Sequence, residues 1–267
     1  MDNLKKNLLI TGTTSGIGYA LAKRFAAEGY GLVLVSRNKD KLNKQKKELE
    51  LYNNVMVHVI VKDLCNENAA EEVYQELQDI GIPIHVLVNN AGFNECGEFA
   101  NTRIEKETEM IRLHVITLTQ LTKLFLPNMI NNGWGHILNV GSTGSYAPFP
   151  INAVYAASKA YVLNFSLALR TELKGKNVNV TTLTPGATRT LFAEKANMSN
   201  TVLFSYFVMS PDKVAGKAIR GMFKNKAIVI PGLYNKVLVL FMKIVPYAIL
   251  QRISPLFYKE TNNKIDF

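Results

Sequence analysis

Short apolar runs alternate with longer segments of helical period along most of the chain. The runs are rich in valine, leucine and isoleucine, so they predict strands that are covered on both faces, as in a parallel sheet. The intervening segments are long enough for the crossover helices that parallel strands require. Strands are predicted at 7–11, 31–36, 55–61, 85–90, 136–140 and 178–184, and helices up to 28, after 36, over 67–80, through 128 and over 154–173. The pattern predicts a doubly wound α/β fold with helices on both faces of a mostly parallel sheet.

One domain is predicted over residues 1–235, because no repeat, low-complexity tract or Pro/Gly/Ser-rich linker divides it. The extension 236–267 begins with a strongly apolar stretch, interrupted by Lys243 and Pro246, that is too short to span a bilayer. Two roles carry equal weight for this extension: capping a substrate pocket and burial against a second subunit. A position on a membrane surface is a third, less favoured role.

The formal net charge of +10 suits an anionic ligand, a nucleic acid or an acidic membrane surface equally well. The densest basic run, 39–47, alternates with Leu42, Leu49 and Leu51 at helical spacing. It is interpreted as the solvated face of a helix. No aromatic stacking groups or reader motif accompany it, so no nucleic-acid partner is predicted.

Cysteine and histidine positions argue against a disulfide framework and a metal site. The two cysteines, Cys65 and Cys96, form no CxxC pair, and the first apolar run is too short for a signal peptide. The four histidines show no short metal-ligand spacing. We therefore expect a cytoplasmic protein without a structural metal.

The segment T-G-T-T-S-G-I-G, residues 11–18, follows the first predicted strand and opens a helix. Glycines let the backbone turn sharply and approach a pyrophosphate, and the helix N-terminus offers N–H donors to the anion. The spacing departs from the common G-x-G-x-x-G, but the strand-to-helix setting favours a dinucleotide-binding loop over a plain turn. The predicted cofactor contacts in this loop are Gly12, Thr14, Ser15, Gly16, Ile17 and Gly18.

The end of the second predicted strand, Ser36-Arg37, is where such a fold distinguishes two nicotinamide cofactors. An acid there accepts a hydrogen bond from a ribose 2′-hydroxyl, whereas a guanidinium binds a 2′-phosphate. Asp40 lies near the usual distance for the acid, but we expect it in the first turn of the next helix, where acids are common. Arg37 therefore predicts NADP(H) in preference to NAD(H).

Taken together, these motifs resemble the short-chain dehydrogenase/reductase family, and they follow its order and spacing over most of the chain. The pair Tyr155 and Lys159, one helical turn apart, would alone be interpreted as an amphipathic helix face. Ser142, thirteen residues before Tyr155, reverses that interpretation. The matching elements are T-G-x-x-x-G-I-G at 11–18, Asp63-Leu64, N-N-A-G at 89–92, Ser142, Y-x-x-x-K at 155–159 and P-G at 185–186.

The resemblance implies a Rossmann fold of about seven strands and a Ser-Tyr-Lys active site. Tyr155 would exchange a proton with the substrate oxygen, and Ser142 would orient the same oxygen. Lys159 would hold the nicotinamide ribose, and as a nearby cation it is expected to lower the pKa of the Tyr155 phenol. The further cofactor contacts implied by the family are Asp63, Leu64, Asn90, Ala91, Gly92, Pro185, Thr188 and Thr190.

One position departs from the family pattern, because His114 stands where most members carry an asparagine. That asparagine is usually given a role in holding a water that relays protons to the active-site lysine. An imidazole can also donate and accept, so a relay through His114 is one hypothesis. A packed helix histidine is an equally weighted alternative.

The substrate is predicted to be a hydrophobic carbonyl compound or alcohol, because the loop near 187–210 is rich in apolar side chains that could form a lid. Simple packing of these residues on the sheet is an alternative. They are Leu191, Phe192, Met198, Leu203, Phe204, Tyr206, Phe207 and Met209. The leading function is an NADP(H)-dependent oxidoreductase, and the alternative is a non-catalytic NADP(H)-binding sensor or interaction module. The family resemblance also implies a homodimer or homotetramer built through the helices at 105–130 and 154–173.

Overall fold

The computed structural model describes residues 6–196 and 208–253. Seven strands form one sheet in the order β3-β2-β1-β4-β5-β6-β7, and every pairing is parallel. The strands are β1 Asn7–Thr11, β2 Gly31–Ser36, β3 Val57–Val61, β4 Val86–Asn89, β5 Gly135–Val140, β6 Val178–Leu183 and β7 Ile228–Val229. The predicted doubly wound, mostly parallel sheet is confirmed.

Helices connect the strands and cover both faces of the sheet. They are α1 Gly16–Ala27, α2 Lys39–Asn53, α3 Ala69–Asp79, α4 Ile104–Ile111, α5 Leu118–Asn131, α6 Ala153–Glu172, α7 Leu191–Lys195, α8 Pro211–Phe223, α9 Leu233–Ile244 and α10 Tyr247–Ile253. A π-helical segment, Arg112–Thr117, joins α4 to α5, and a 3-10 turn, Thr143–Tyr146, follows β5. The predicted helix through residue 128 is thus one continuous rod with a widened turn in its middle.

The core explains why the strands are apolar at nearly every position. Leu8 and Ile10 of β1 belong to one buried cluster, whereas Leu9 between them belongs to a second cluster across the sheet. Alternate side chains of a strand point to opposite faces, so a strand covered on both faces needs apolar residues at consecutive positions.

The basic helix α2 has the predicted amphipathic character. Leu42 and Leu49 are buried, and Asn38 caps the helix by accepting from the Lys41 N–H at 2.9 Å. Leu51 is 76% exposed, so the predicted apolar face is shorter than the leucine spacing indicates. Asp40 lies in the first turn of α2, as expected.

The C-terminal apolar stretch forms two helices because Pro246 lacks an amide hydrogen and ends the helical bonding after Ile244. The proposed domain boundary at 235 falls inside α9, which begins at Leu233. Met198, Leu203, Phe204, Tyr206 and Phe207, which were predicted to belong to a lid, lie outside the described residues.

Candidate active site

A cleft lies at the carboxyl ends of the strands, where the neighbours of β1 are β2 on one side and β4 on the other. This reversal of strand order is the usual ligand position in open α/β sheets. Every site residue predicted from the sequence lines the cleft except His114, which lies beneath it. The fold therefore brings together residues that are far apart in the chain.

The glycine loop between β1 and α1 needs its glycines. Gly12 and Gly16 have φ of 71° and 61°, which disfavours residues with a Cβ atom. A Cβ on Gly18 would lie 2.2 Å from the Gly12 carbonyl oxygen. Ser15, at the N-cap of α1, makes no side-chain capping bond, so the first N–H groups of this helix remain for an anion. The loop fits the pyrophosphate of a dinucleotide.

Asn90 fixes the glycine loop to the segment after β4. Its side-chain amide donates to the carbonyl oxygens of Thr11 and Gly12, both at 2.9 Å. The Thr11 hydroxyl oxygen accepts from the backbone N–H groups of Asn90 and Ala91, both at 3.0 Å. The Asn90 amide therefore holds two walls of the cleft together, while Ala91 and Gly92 border the cleft.

The far end of the cleft contains Arg37, which pairs with Asp63 at 3.5 Å and keeps a side-chain exposure of 64%. Ser36 and Lys62 line the same end, and the Thr14 and Ser36 hydroxyl oxygens lie 3.4 Å apart. Asp40 does not line the cleft. Beside the Asp63 carboxylate, this end presents hydroxyls and cations, a donor set that fits a phosphate.

Ser142 begins the 3-10 turn just beyond β5. Its hydroxyl oxygen accepts from the Gly144 N–H at 3.0 Å, and the Ser145 hydroxyl donates to the Lys159 carbonyl at 2.8 Å. These bonds attach the turn to helix α6. They hold Ser142 in the part of the cleft that Tyr155 also lines, where its hydroxyl acts to lower the pKa of the Tyr155 phenol.

Tyr155 and Lys159 lie on the face of α6 that borders the cleft. The Lys159 ammonium is buried, donates to the Val140 carbonyl at 3.0 Å and lies 5.7 Å from the centre of the Tyr155 ring. The ring of Phe192 lies 5.8 Å from that of Tyr155. Ser142, Tyr155 and Lys159 thus meet at one point of the cleft.

Burial controls the protonation of this cluster. It raises the pKa of Tyr155 to about 12, although the Ser142 hydroxyl opposes the rise. It also lowers the pKa of Lys159 to about 8. The expectation that Lys159 lowers the pKa of Tyr155 is wrong for this structure, because the cost of burying a phenolate exceeds any gain from the nearby lysine.

His114 lies in the π-helical segment and is buried. Its Nε2 accepts from the Phe93 N–H at 3.3 Å, and its Nδ1 lies 2.9 Å from the Ser158 hydroxyl, which itself donates to the Tyr155 carbonyl at 2.7 Å. The serine proton is used on Tyr155, so Nδ1 carries the ring proton and donates. Burial, then the charge of Lys159, holds the pKa of His114 well below its ordinary value.

The segment after β6 closes the other wall. Pro185 accepts from the Thr143 N–H at 2.9 Å, and Thr188 pairs with Met209 across a parallel bridge. Thr190 caps α7 by accepting from the Phe192 N–H at 3.3 Å, and its methyl group lies where a Cβ on Gly16 would collide. These contacts place Thr188 and Thr190 beside the glycine loop.

Several cleft residues were missed in the sequence. Lys62 precedes Asp63 directly, and its position at a strand end was a usable signal. Others are apolar residues outside any motif, which only the fold brings to the cleft. They include Phe93, Phe149, Leu238 and Met242.

Comparison with known proteins gives one consistent family. The family model described as short chain dehydrogenase matches residues 6–201. Sulfoacetaldehyde reductase 2 of Chromohalobacter salexigens is 38% identical over 187 residues, which cover 69% of this chain and 73% of the relative.

Solved structures agree with the sequence comparisons. A short-chain dehydrogenase from Sphingobium yanoikuyae in complex with NADPH has a TM-score of 0.80 and 31% identity, covering 91% of this chain and 97% of that one. A 7β-hydroxysteroid dehydrogenase has a TM-score of 0.85 and 26% identity, covering 94% and 96%. The chain therefore belongs to the short-chain dehydrogenase family of NAD(P)-dependent oxidoreductases, which act on alcohols and carbonyl compounds.

Proposed function

We propose that the protein is an NADP(H)-dependent reductase of hydrophobic carbonyl compounds, with Tyr155 as its general acid and base. The observation that carries this proposal is the meeting of Ser142, Tyr155 and Lys159 beside a glycine loop that fits a dinucleotide. A pure binding module has no need of a serine and a tyrosine together in the cleft, so the non-catalytic alternative is not favoured.

The protonation of the site supports the reductive direction. A phenol with a pKa of about 12 holds its proton at neutral pH and can give it to a carbonyl oxygen. When bound, NADPH supplies the hydride to the carbonyl carbon. Ser142 donates a hydrogen bond to the same oxygen, and Lys159 holds the ribose hydroxyls.

The preference for NADP(H) rests on the far end of the cleft. Strand β2 ends at Ser36-Arg37 without an acid, and Lys62 adds a second cation. An acid would repel the 2′-phosphate, whereas a guanidinium binds it through paired N–H donors. The NADPH complex of the Sphingobium relative is consistent with this assignment.

The hydrophobic substrate class rests on the walls around Tyr155. Phe192 contacts the Tyr155 ring, Phe149 approaches Gly144, and α9 contributes Leu238 and Met242. Among the described residues that line the cleft, the charged ones besides Lys159 lie at the ends of β2 and β3. Among the described residues, a sulfonated aldehyde, as in the name of one relative, would find no second cation in the cleft lining near Tyr155.

His114 is better described as a positioning residue than as a proton relay. Both ring nitrogens are engaged, one with the Phe93 N–H and the other with the Ser158 hydroxyl. The ring thereby ties the segment after β4 to the backbone of Tyr155. Its low pKa keeps it neutral in the working range.

The proposal also includes an oligomeric state and a cellular compartment. The protein acts as a homodimer or homotetramer through α4–α5 and α6, which expose Ile104, Ile111, Ile116 and Tyr161. It works in the cytoplasm, where the free cysteines Cys65 and Cys96 stay reduced.

The experiment is NADPH oxidation by the purified protein across 3-oxoacyl thioesters, steroid ketones and lipophilic aldehydes, with sulfoacetaldehyde as the anionic comparison. Tyr155→Phe is expected to lower kcat by about 10²- to 10⁴-fold with NADPH affinity retained. Tyr161→Phe is the matched control, because Tyr161 lies on the same helix outside the cleft lining. Tight NADPH binding without turnover on any substrate would support the non-catalytic alternative.

A further inference from the structure

Helices α9 and α10 expose apolar side chains on the side that faces away from the rest of the protein. The most exposed apolar positions of α9 are Leu233, Val237, Leu240 and Ile244, with exposures from 57% to 77%. Their spacing of three and four residues places them in one stripe along the helix. We call this stripe, with its exposed apolar neighbours, the outer face; those neighbours are Tyr234, Phe241, Tyr247 and Ile249.

The opposite face of α9 is fixed to the catalytic domain. Val239 and Met242 are buried, and Asn235 is buried where a Cβ on Gly186 would meet its side chain. Leu238 and Met242 line the cleft. The helix is therefore held to the domain by its inner face. Contiguous apolar surface that stays exposed, as on the outer face, marks an interaction site.

The charges around the outer face select its partner. Lys236, Lys243 and Arg252 are exposed, and residues 233–253 contain no aspartate or glutamate. Lys236 and Lys243 lie along one edge of the apolar stripe by their helical positions. Pairing with a second copy about a two-fold axis would bring these cations against themselves without an acid from this segment. An anionic surface with an apolar interior complements both features.

We propose that the outer face docks on an anionic lipid bilayer, with α9 lying in the plane of the headgroups. Amphipathic helices with one apolar face and flanking lysines bind in this way. No helix among residues 6–196 and 208–253 is long and apolar enough to cross a membrane, so the contact is a surface one. If the proposed function also holds, the inner face of the same helix would place the cleft close to apolar substrates dissolved in the lipid.

Cosedimentation with vesicles tests the docking without reference to activity. The full chain is expected to bind vesicles of phosphatidylcholine containing phosphatidylglycerol, and to bind pure phosphatidylcholine vesicles more weakly. Val237→Gln with Leu240→Gln and Ile244→Gln is expected to lower the partition coefficient at least tenfold. The matched control is Leu51→Gln with Tyr52→Gln and Met56→Gln, which changes three apolar residues of 72% to 76% exposure elsewhere.

Two further variants test whether the cations beside the outer face contribute to vesicle binding. Lys236→Gln with Lys243→Gln and Arg252→Gln is expected to lower binding to the anionic vesicles about fivefold or more per cation. Lys41→Gln with Lys44→Gln and Lys47→Gln removes the same net charge from α2, where all three are exposed, and should change binding little.

Three results would overturn the proposal. The first is a wild-type chain that binds neither kind of vesicle. The second is equal loss of binding in the control variants. The third is a shift from oligomer to monomer in sedimentation velocity for the α9 variant without loss of vesicle binding, which would assign the face to a second copy. Circular dichroism and NADPH binding confirm that each variant is folded.

Discussion

The cofactor end of the cleft is walled mainly by main chain, whereas the substrate end is walled by side chains. Gly12, Gly16 and Gly18 shape the first end, and the Asn90 amide holds it through two carbonyl oxygens. The second end depends on Phe149 of the loop after β5, Phe192 of α7, and Leu238 and Met242 of α9. Tyr155 and Lys159 lie where the two ends meet.

The two ends therefore differ in how many residue combinations could form them. A dinucleotide has one shape, so the loops at the strand ends have little freedom in which residues can form them. An apolar wall needs only side chains of suitable volume, and many combinations provide that. We therefore expect changes at the two ends to act on separate kinetic constants.

Among changes confined to one end of the cleft, the largest effect should follow from Arg37→Leu. Loss of the guanidinium removes charge-assisted hydrogen bonds to the 2′-phosphate, so the KM for NADPH should rise about 10- to 100-fold while the KM for NADH stays constant. Initial-rate kinetics with both cofactors measure this. The ranking of carbonyl substrates should not change.

Arg103→Leu is the matched control for Arg37. The Arg103 side chain is 66% exposed and pairs with Glu95 at 3.7 Å, much as Arg37 pairs with Asp63, but it does not line the cleft. Equal losses with NADPH and NADH in Arg37→Leu would mean that this residue supports the cleft in general, and the separation of the two ends would fail there.

A smaller effect, on the KM of the carbonyl substrate instead of NADPH, should follow from Leu238→Ala and Met242→Ala. Each removes apolar contact from the substrate end, so the KM for bulky apolar carbonyl compounds should rise up to about tenfold. The Kd for NADPH, measured by fluorescence titration, should stay constant. Leu240→Ala on the exposed face of the same helix is the control in lipid-free buffer. Weakened NADPH binding in either cleft variant would break the comparison.

The residues of the cofactor end could be predicted from the sequence, whereas those of the substrate end mostly could not. The glycine loop, Arg37, Ser142, Tyr155 and Lys159 all line the cleft. The first three follow predicted strands, whereas Tyr155 and Lys159 were recognised through the family resemblance, because their spacing alone indicates only a helix face. Leu238 and Met242 gave no such signal. They are ordinary apolar residues of a C-terminal helix, and only the position of α9 against the turn after β5 brings them to the site.

Two local features also could not be predicted from the periodicity of the sequence. The π-helical segment around His114 inserts a residue into a helix without changing its apolar pattern enough to be recognised. The raised pKa of Tyr155 depends on burial, which the four-residue spacing to Lys159 does not report. Spacing shows which groups can meet, and three-dimensional packing decides how water reaches them.

Lys159→Met should change the pH dependence of stability. The pKa of Lys159 falls from 10.5 to about 8 on folding, so at pH 7 the wild type carries the cost of a buried ammonium. As the pH rises through 8, the folded chain loses this proton while the unfolded chain keeps it, so wild-type stability rises. The variant should be more stable at pH 7 by about 2 kcal/mol, and this gap should shrink by pH 9.5.

Thermal melts of the cofactor-free protein between pH 7 and about 9.5 measure this gap. The exposed Lys224 supplies the control, because Lys224→Met removes a lysine that the fold does not bury. A constant gap for Lys159→Met would show that the lysine is not desolvated in the folded chain. The junction of the two ends would then be wetter than the structure describes.

The smallest effect is expected from His114→Asn, and it tests whether the two ends are joined through this ring. Asparagine is too short to reach both the Phe93 N–H and the Ser158 hydroxyl, so the segment after β4 should loosen and the KM for NADPH should rise a few-fold, about 2- to 5-fold. His114→Gln, which is longer, should restore part of this loss. Because the imidazole is neutral in the working range, the limbs of the pH–rate profile should stay in place in both variants. A displaced limb with an unchanged KM would instead assign His114 to proton transfer and revive the relay.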